Sequence, residues 1–108
     1  MIGSLEAMLD GGRDDALLRF SLGNALLSEQ RAEEAVVHLL MAVKHDAGFS
    51  AAWKLLGKAQ LAASNKGAAA DAYRAGIAAA EKKGDLQAMK EMQVFLRRVE
   101  KEIGKHAG

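Results

Sequence analysis

Apolar residues recur along this chain at intervals of three and four, interrupted by short polar or glycine-containing marks. The marks fall at Gly11-Gly12, Ser28-Glu29-Gln30, Asp46-Ala47-Gly48, Ser64-Asn65-Lys66 and Lys83-Gly84-Asp85. Spacing of three and four puts side chains on one face of a helix, so the pattern predicts helices over 4–10, 14–28, 31–45, 50–64, 67–82 and 85–103. No stretch alternates apolar and polar residues with β-branched enrichment, so no strand is predicted. Turns of two to five residues between helices make consecutive helices antiparallel neighbours. The pattern describes an all-α chain.

A glycine disturbs it. Gly57 stands inside the helical stretch AAWKLLGKA, where it costs about 1 kcal/mol relative to alanine. Shifting the chain by 34 residues supplies the reason. Leu22 then falls on Leu56, Gly23 on Gly57, Ala25 on Ala59, Leu27 on Leu61 and Ala35 on Ala69. Leu39 falls on Tyr73, Ala42 on Gly76 and Val43 on Ile77, which keep apolar character or small size. Two helical hairpins, at 16–49 and 50–83, repeat one packing scheme. Small residues at matching places let two helix backbones approach more closely than the usual 8–10 Å.

These residues resemble a known family. Trp53-x2-Leu56-Gly57, followed by Ala69-x3-Tyr73 and Gly76, is similar to a tetratricopeptide repeat, and the 16–49 unit matches it through Leu22-Gly23, Ala35, Leu39 and Ala42. Arg19 departs from it, standing where Trp53 stands in the second unit. So does Gln60, where an aromatic is usual, and Ala47 and Glu81 replace the proline common near the repeat's end. The resemblance implies a single domain over 1–108: a short solenoid of antiparallel hairpins, with 4–10 as the remnant of a preceding helix and 85–103 as a closing helix. Met89, Met92, Leu96, Val99 and Ile103 form one apolar stripe on that last helix, suited to covering the open end of a repeat array. The same stripe could instead seat a second copy of the chain.

Composition narrows the chemistry. Among 108 residues there is no Cys and no Pro, which removes disulfides, thiolate metal sites and thiol nucleophiles, and leaves long helices without a built-in breaker. The N-terminal MIGSLEAML lacks a basic region, and no apolar run reaches the length of a membrane span. The expectation is a soluble, cytoplasmic module, either whole or an accessory piece of a larger enzyme or nucleic-acid-associated protein. His38 and His45 lie about 10 Å apart along one helix, too far to share a metal, and His106 falls in the terminal tail. Ser50, before a helical run, reads as an N-cap, and His45 as a C-terminal dipole partner. No P-loop, dinucleotide fingerprint or nucleophile–base set is present, so no enzyme activity, cofactor or metal is expected.

Net charge is +1, unevenly spread: residues 1–50 carry 4 basic and 8 acidic side chains, and 51–108 carry 11 and 6. Arg97, Arg98, Lys101 and Lys105 cluster near the C-terminus without an aromatic platform, which disfavours nucleic acid as a partner. A protein or peptide of acidic character suits the basic half better. The family resemblance implies that the second, fifth, ninth and twelfth residues of each repeat face a concave groove. Here these are Leu17, Phe20, Asn24 and Leu27, then Ala51, Lys54, Lys58 and Leu61, continued by Asp85, Ala88, Met92 and Phe95. Phe20, Asn24, Leu27, Lys54, Lys58, Leu61 and Phe95 are accordingly the candidate peptide-binding residues. The family's carboxylate clamp for chaperone tails is not expected, because only Asn24 matches it while Phe20, Leu55, Asp85 and Met89 depart from it.

Overall fold

The computed structural model describes residues 1–107. Six helices follow one another among the described residues: α1 (Ile2–Asp10), α2 (Ala16–Ser28), α3 (Ala32–His45), α4 (Ser50–Ala62), α5 (Lys66–Lys83) and α6 (Leu86–Ala107), with no strand. The main packed pairs are α2 with α3, α4 with α5, and α5 with α6, while α3 also lies along α4. The molecule is elongated and flat, 48 × 31 × 18 Å, as a row of stacked hairpins must be.

Helix ends follow local chemistry. Asp15 caps α2 by accepting from the Leu18 N–H at 2.8 Å, and Asn65 caps α5 by accepting from the Ala68 N–H at 3.3 Å. Both hairpins turn in the same manner. Gln30 and Ser64, one repeat apart, adopt left-handed φ values of 60° and 63°. After each, the chain donates back: Arg31 N to Leu26 O at 2.9 Å, and Asn65 N to Gln60 O at 2.8 Å. These bonds satisfy carbonyls that the helix end leaves open. Gly84, at φ 75°, closes α5 by the same device.

One expectation about a helix end is corrected. Ser50 is the first residue of α4 rather than its cap, and it is buried. Phe49 occupies the cap position and makes no side-chain cap bond; its ring lies 4.9 Å from that of Phe20, so packing rather than capping fixes the entry into α4. His45 sits in the last turn of α3, as expected of a dipole partner, and its Nε2 also lies 2.9 Å from Asp14 Oδ1. The closing helix also continues past residue 103 to Ala107, since no glycine or proline stops it before then in a way a helix cannot tolerate. The side chain of His106 lies outside the described residues.

The two glycines face the residues that the repeat pairs with them. A Cβ on Gly57 would come within 2.6 Å of Tyr73 Cζ, and one on Gly23 within 2.6 Å of Leu39 Cδ2. Tyr73 and Leu39 are almost fully buried, so neither has room to yield. Gly76 repeats the theme on the other side of α5, where an added Cβ would lie 2.8 Å from Trp53 Cβ and against the Met92 sulfur. Ala35, Ala42, Ala52, Ala59 and Ala69, all completely buried, line the same close contacts. The core is thus a mesh of alanines and glycines around a few large side chains.

The first repeat solves one problem differently. In the second, Trp53 seals the junction with the preceding loop by donating from Nε1 to the Ala47 carbonyl at 2.8 Å. Arg19, in the matching place, donates from Nε and Nη2 to Asp14 at 2.8 and 2.9 Å, and from Nη1 to His38 Nδ1 at 3.0 Å. That last bond requires a neutral imidazole with its proton on Nε2. Burial, and then the neighbouring Arg19 charge, pushes His38 below the ordinary imidazole value, against the opposing pull of Glu6, Glu34 and Asp14. Asp14 is driven well below the usual carboxylate range by its bonds to Arg19 and His45.

Two measurable consequences arise from this packing. Gly57→Ala should destabilise the protein by about 1–3 kcal/mol in urea unfolding, despite better helix propensity, because the new methyl overpacks Tyr73. Gly67→Ala, the same change where nothing lies within 4 Å, should be neutral or stabilising. Equal effects at the two sites would refute the close-packing account.

The second consequence concerns pH. A lowered folded-state pKa means that the stability linked to His38 is complete above about pH 6.5 and is lost as pH falls from there through the lower folded value. The stability linked to Asp14 survives to below about pH 4, since its shift starts from the carboxylate range. Unfolding midpoints should therefore drop between about pH 7.5 and pH 5, and His38→Gln, which keeps an acceptor for Arg19, should flatten that drop. An unchanged drop in the variant would place its origin elsewhere.

Candidate functional site

The first helices of the two hairpins, α2 and α4, lie side by side, and α6 continues the row beside α4. Their shared face holds the residues that the repeat register singles out, but the register divides them into two sets. Members of one set pack into the joint with the next helix; members of the other look outward. The one-residue offsets along each helix decide which is which, because a step of three residues rotates a side chain by 300° and a step of four by 40° beyond a full turn.

Phe20 and Leu27 belong to the joint between α2 and α4. Both are half-buried and packed against the core, and Phe20 meets Phe49 across that joint. Lys54 and Leu61, one repeat later, occupy the same places between α4 and α6. Lys54 is half-buried and its Nζ lies 3.6 Å from Glu91 Oε2, while Leu61 remains 37% exposed. Asn24 and Lys58 face outward. Asn24 borders a recess of about 500 Å³ between the start of α1 and the end of α2, beside Ile2 and Ser28. The Lys58 ammonium sits 5.3 Å from the centroid of the Phe95 ring, in range of a cation–π attraction. Phe95 itself is half-buried, and its other side packs on Tyr73 at 5.7 Å between ring centroids.

On α6 the expected register is corrected. Met92 is fully buried against the Gly76 region of α5 and faces no groove. It belongs to the stripe that covers α5, together with Val99 and the half-buried Met89 and Leu96. The helix can present only one face to α5, and the long apolar stripe takes it. The residues that reach α4 are Glu91 and Phe95. Glu91 was not among the candidate residues; its signal in the sequence is a spacing of four from Phe95, which places both on the side of α6 next to the buried stripe. Leu17, which the register names but the candidate set left out, is 59% exposed on α2.

The joint between α4 and α6 therefore carries an ion pair, a cation over an aromatic ring, and an exposed leucine within one short stretch of surface. Lys58 has no carboxylate partner among the described residues, whereas Lys54 has one. Chemically, this surface can accept a carboxylate at Lys58 and apolar side chains beside Leu61. Among the described residues no group of three or more His, Asp or Glu side chains is placed to hold a metal ion, and no helix is long and apolar enough to cross a membrane.

Comparison with known proteins bears on what this surface belongs to. No protein-family model matches the chain. It is 50% identical over 101 residues to the TPR repeat-containing protein PA0015 of Pseudomonas aeruginosa, with 94% of this chain and 96% of that protein covered. The solution structure of protein BPP2914 from Bordetella parapertussis is 42% identical and superposes with a TM-score of 0.80, covering 94% of this chain and 89% of that one. Near-complete coverage at half identity, added to the recurring Leu-Gly and Ala positions and the six stacked helices, makes this chain a member of the tetratricopeptide-repeat family.

Proposed function

We propose that this chain is a non-catalytic interaction module that binds an acidic peptide or helix with apolar anchors along the face formed by α2, α4 and α6. Two repeats, 16–49 and 50–83, form the body of the module, with 4–10 preceding them and 85–103 closing the array. The observation that carries the reading is Lys58, an exposed cation held over Phe95 and free of any carboxylate among the described residues. An ammonium already steered by a ring loses less freedom on binding than one on a free lysine stem. Leu61 beside it, and the outer edges of Phe20 and Leu27 along the same face, offer apolar contact, and Asn24 offers hydrogen bonding. Lys54 has a different role: tied to Glu91, it keeps α4 and α6 in register and shifts any carboxylate toward Lys58. The absence of cysteine agrees with a cytoplasmic setting.

A display library of short random peptides tests this directly. The wild-type chain should enrich sequences that combine Asp or Glu with Leu or Phe. Lys58→Glu should abolish that enrichment while leaving the melting temperature within a degree or so of wild type, the behaviour expected of an exposed position. Arg97→Glu/Arg98→Glu alters more charge on the outer side of α6 and should leave the selected sequences unchanged. Binding energies lost at Lys58 should be about 0.2–1 kcal/mol for an exposed contact, rising toward 1.5–3 when the bound peptide excludes water. Equal losses from both variants, erased by high salt, would reduce the interaction to general charge attraction.

A further inference from the structure

The outer face of α3 carries a stripe that the peptide-binding reading leaves unused. Glu33, Val37, Leu40 and Lys44 follow one another at steps of four, three and four, and all four are exposed. They lie on the side of α3 opposite its buried residues Ala35, Leu39 and Ala42. Val37 is 58% and Leu40 48% exposed, adjacent on one solvent-facing strip. The second repeat provides an internal comparison. At the matching positions of α5 stand Gly67, Asp71, Arg74 and Ala78, the small and charged residues that a solvated outer face calls for. The apolar pair is a property of the first hairpin alone.

The apolar area extends sideways from Leu40. Between Leu40 and α5 lies a cleft of about 330 Å³, lined by Trp53, Leu56 and Gln60 of α4 and by Ala72, Ala75 and the charged Asp71 of α5.

The geometry points to this face as a self-association surface, in which α3 packs antiparallel against α3 of a second copy across a two-fold axis between Val37 and Leu40. Read in reverse with the charges exchanged, the order acid, apolar, apolar, base is unchanged. An antiparallel copy therefore sets Glu33 against Lys44, Val37 against Leu40, and the same pairs again on the other side of the axis. Alternating steps of four and three are the pattern that helices crossing at about 20° use to interlock their side chains. The span from Glu33 to Lys44 is about 16 Å, so all four contacts fit along one helix pair. Antiparallel helices also bring the N-terminus of each α3 to the C-terminus of the other, aligning their dipoles favourably. Lys44 has no ion pair among the described residues, and Glu33 likewise; Glu34, one residue on, is already held by Arg31 at 2.6 Å. Both ends of the stripe are thus available to a second chain.

One helix pair with its flanking cleft buries less than a standard interface, so the dimer is weak and depends on concentration. Sedimentation of the full chain from about 10 µM to about 1 mM brackets a contact of that size. The weight-average mass should climb toward twice that of the chain, and Leu40→Glu should hold it at the monomer value with an unchanged helical spectrum. Glu33→Lys and Lys44→Glu should each weaken dimerisation about tenfold, since the symmetry puts like charges together at two exposed pairs at once. The double variant Glu33→Lys/Lys44→Glu restores opposite charges and should return association to near the wild-type level. Lys58→Glu, on the other face, should leave it untouched, which separates this surface from the peptide-binding one. A chain that stays monomeric throughout, a dimer that survives Leu40→Glu, or a double swap no better than either single change would each overturn the proposal.

Discussion

The contact between a large side chain and a helix backbone stripped of its Cβ governs the spacing of this molecule. Tyr73 lies on Gly57 and Leu39 on Gly23, and each pair sets how closely the two helices of its hairpin approach. Everything beyond the hairpin inherits that distance. With α4 drawn against α5, Trp53 reaches the Ala47 carbonyl and its Cβ comes down on Gly76. Gly76 in turn admits the Met92 sulfur, which brings in α6. Small residues at three successive interfaces thus pass one geometric constraint from the first helix pair to the last. Dispersion between tightly apposed surfaces offsets the propensity that the glycines forgo.

Such a core tolerates exchange of chemistry where it does not tolerate exchange of volume. At the place where the second repeat seals its upstream joint with an indole, the first uses a guanidinium clasped by Asp14 and His38. Both solutions join an outer loop to the start of a hairpin. The ionic one is only partly buried, with the Arg19 side chain 14% exposed and Asp14 38% exposed, so its charges keep contact with water and avoid the full desolvation penalty of an interior pair. It also makes the N-terminal joint sensitive to the protonation of an imidazole, which the indole joint is not.

Covering the core consumes most of the apolar residues, and two of the surfaces that keep exposed ones combine them with charge. One side, along α2, α4 and α6, pairs aromatic and aliphatic edges with the Lys58 cation. The other, on α3, is a short apolar strip ended by opposite charges. On the readings proposed above, one surface would hold a peptide and the other a second copy of the chain.

Most of the architecture was legible in the chain because repetition leaves a local mark. The 34-residue recurrence of Leu-Gly and Ala depends only on which side chains a helix can present at its closest approach, and helix periodicity is a property of neighbours in sequence. Turn positions were legible for the same reason, although the left-handed Gln30 and Ser64 carry no glycine to announce them. What the sequence alone could not assign was competition between faces. Met92 satisfied both the groove register and the closing stripe, and only the docking of α6 on α5 decided that it is core. Ser50 fitted a local capping rule, yet Phe49 packing on Phe20 took the cap position of α4. Phe20 and Lys54 occupy one register position but meet different partners, because Phe49 precedes α4 and Glu91 lies on α6. Such choices are made by groups far apart in the chain, whose distances exist only once the helices have packed.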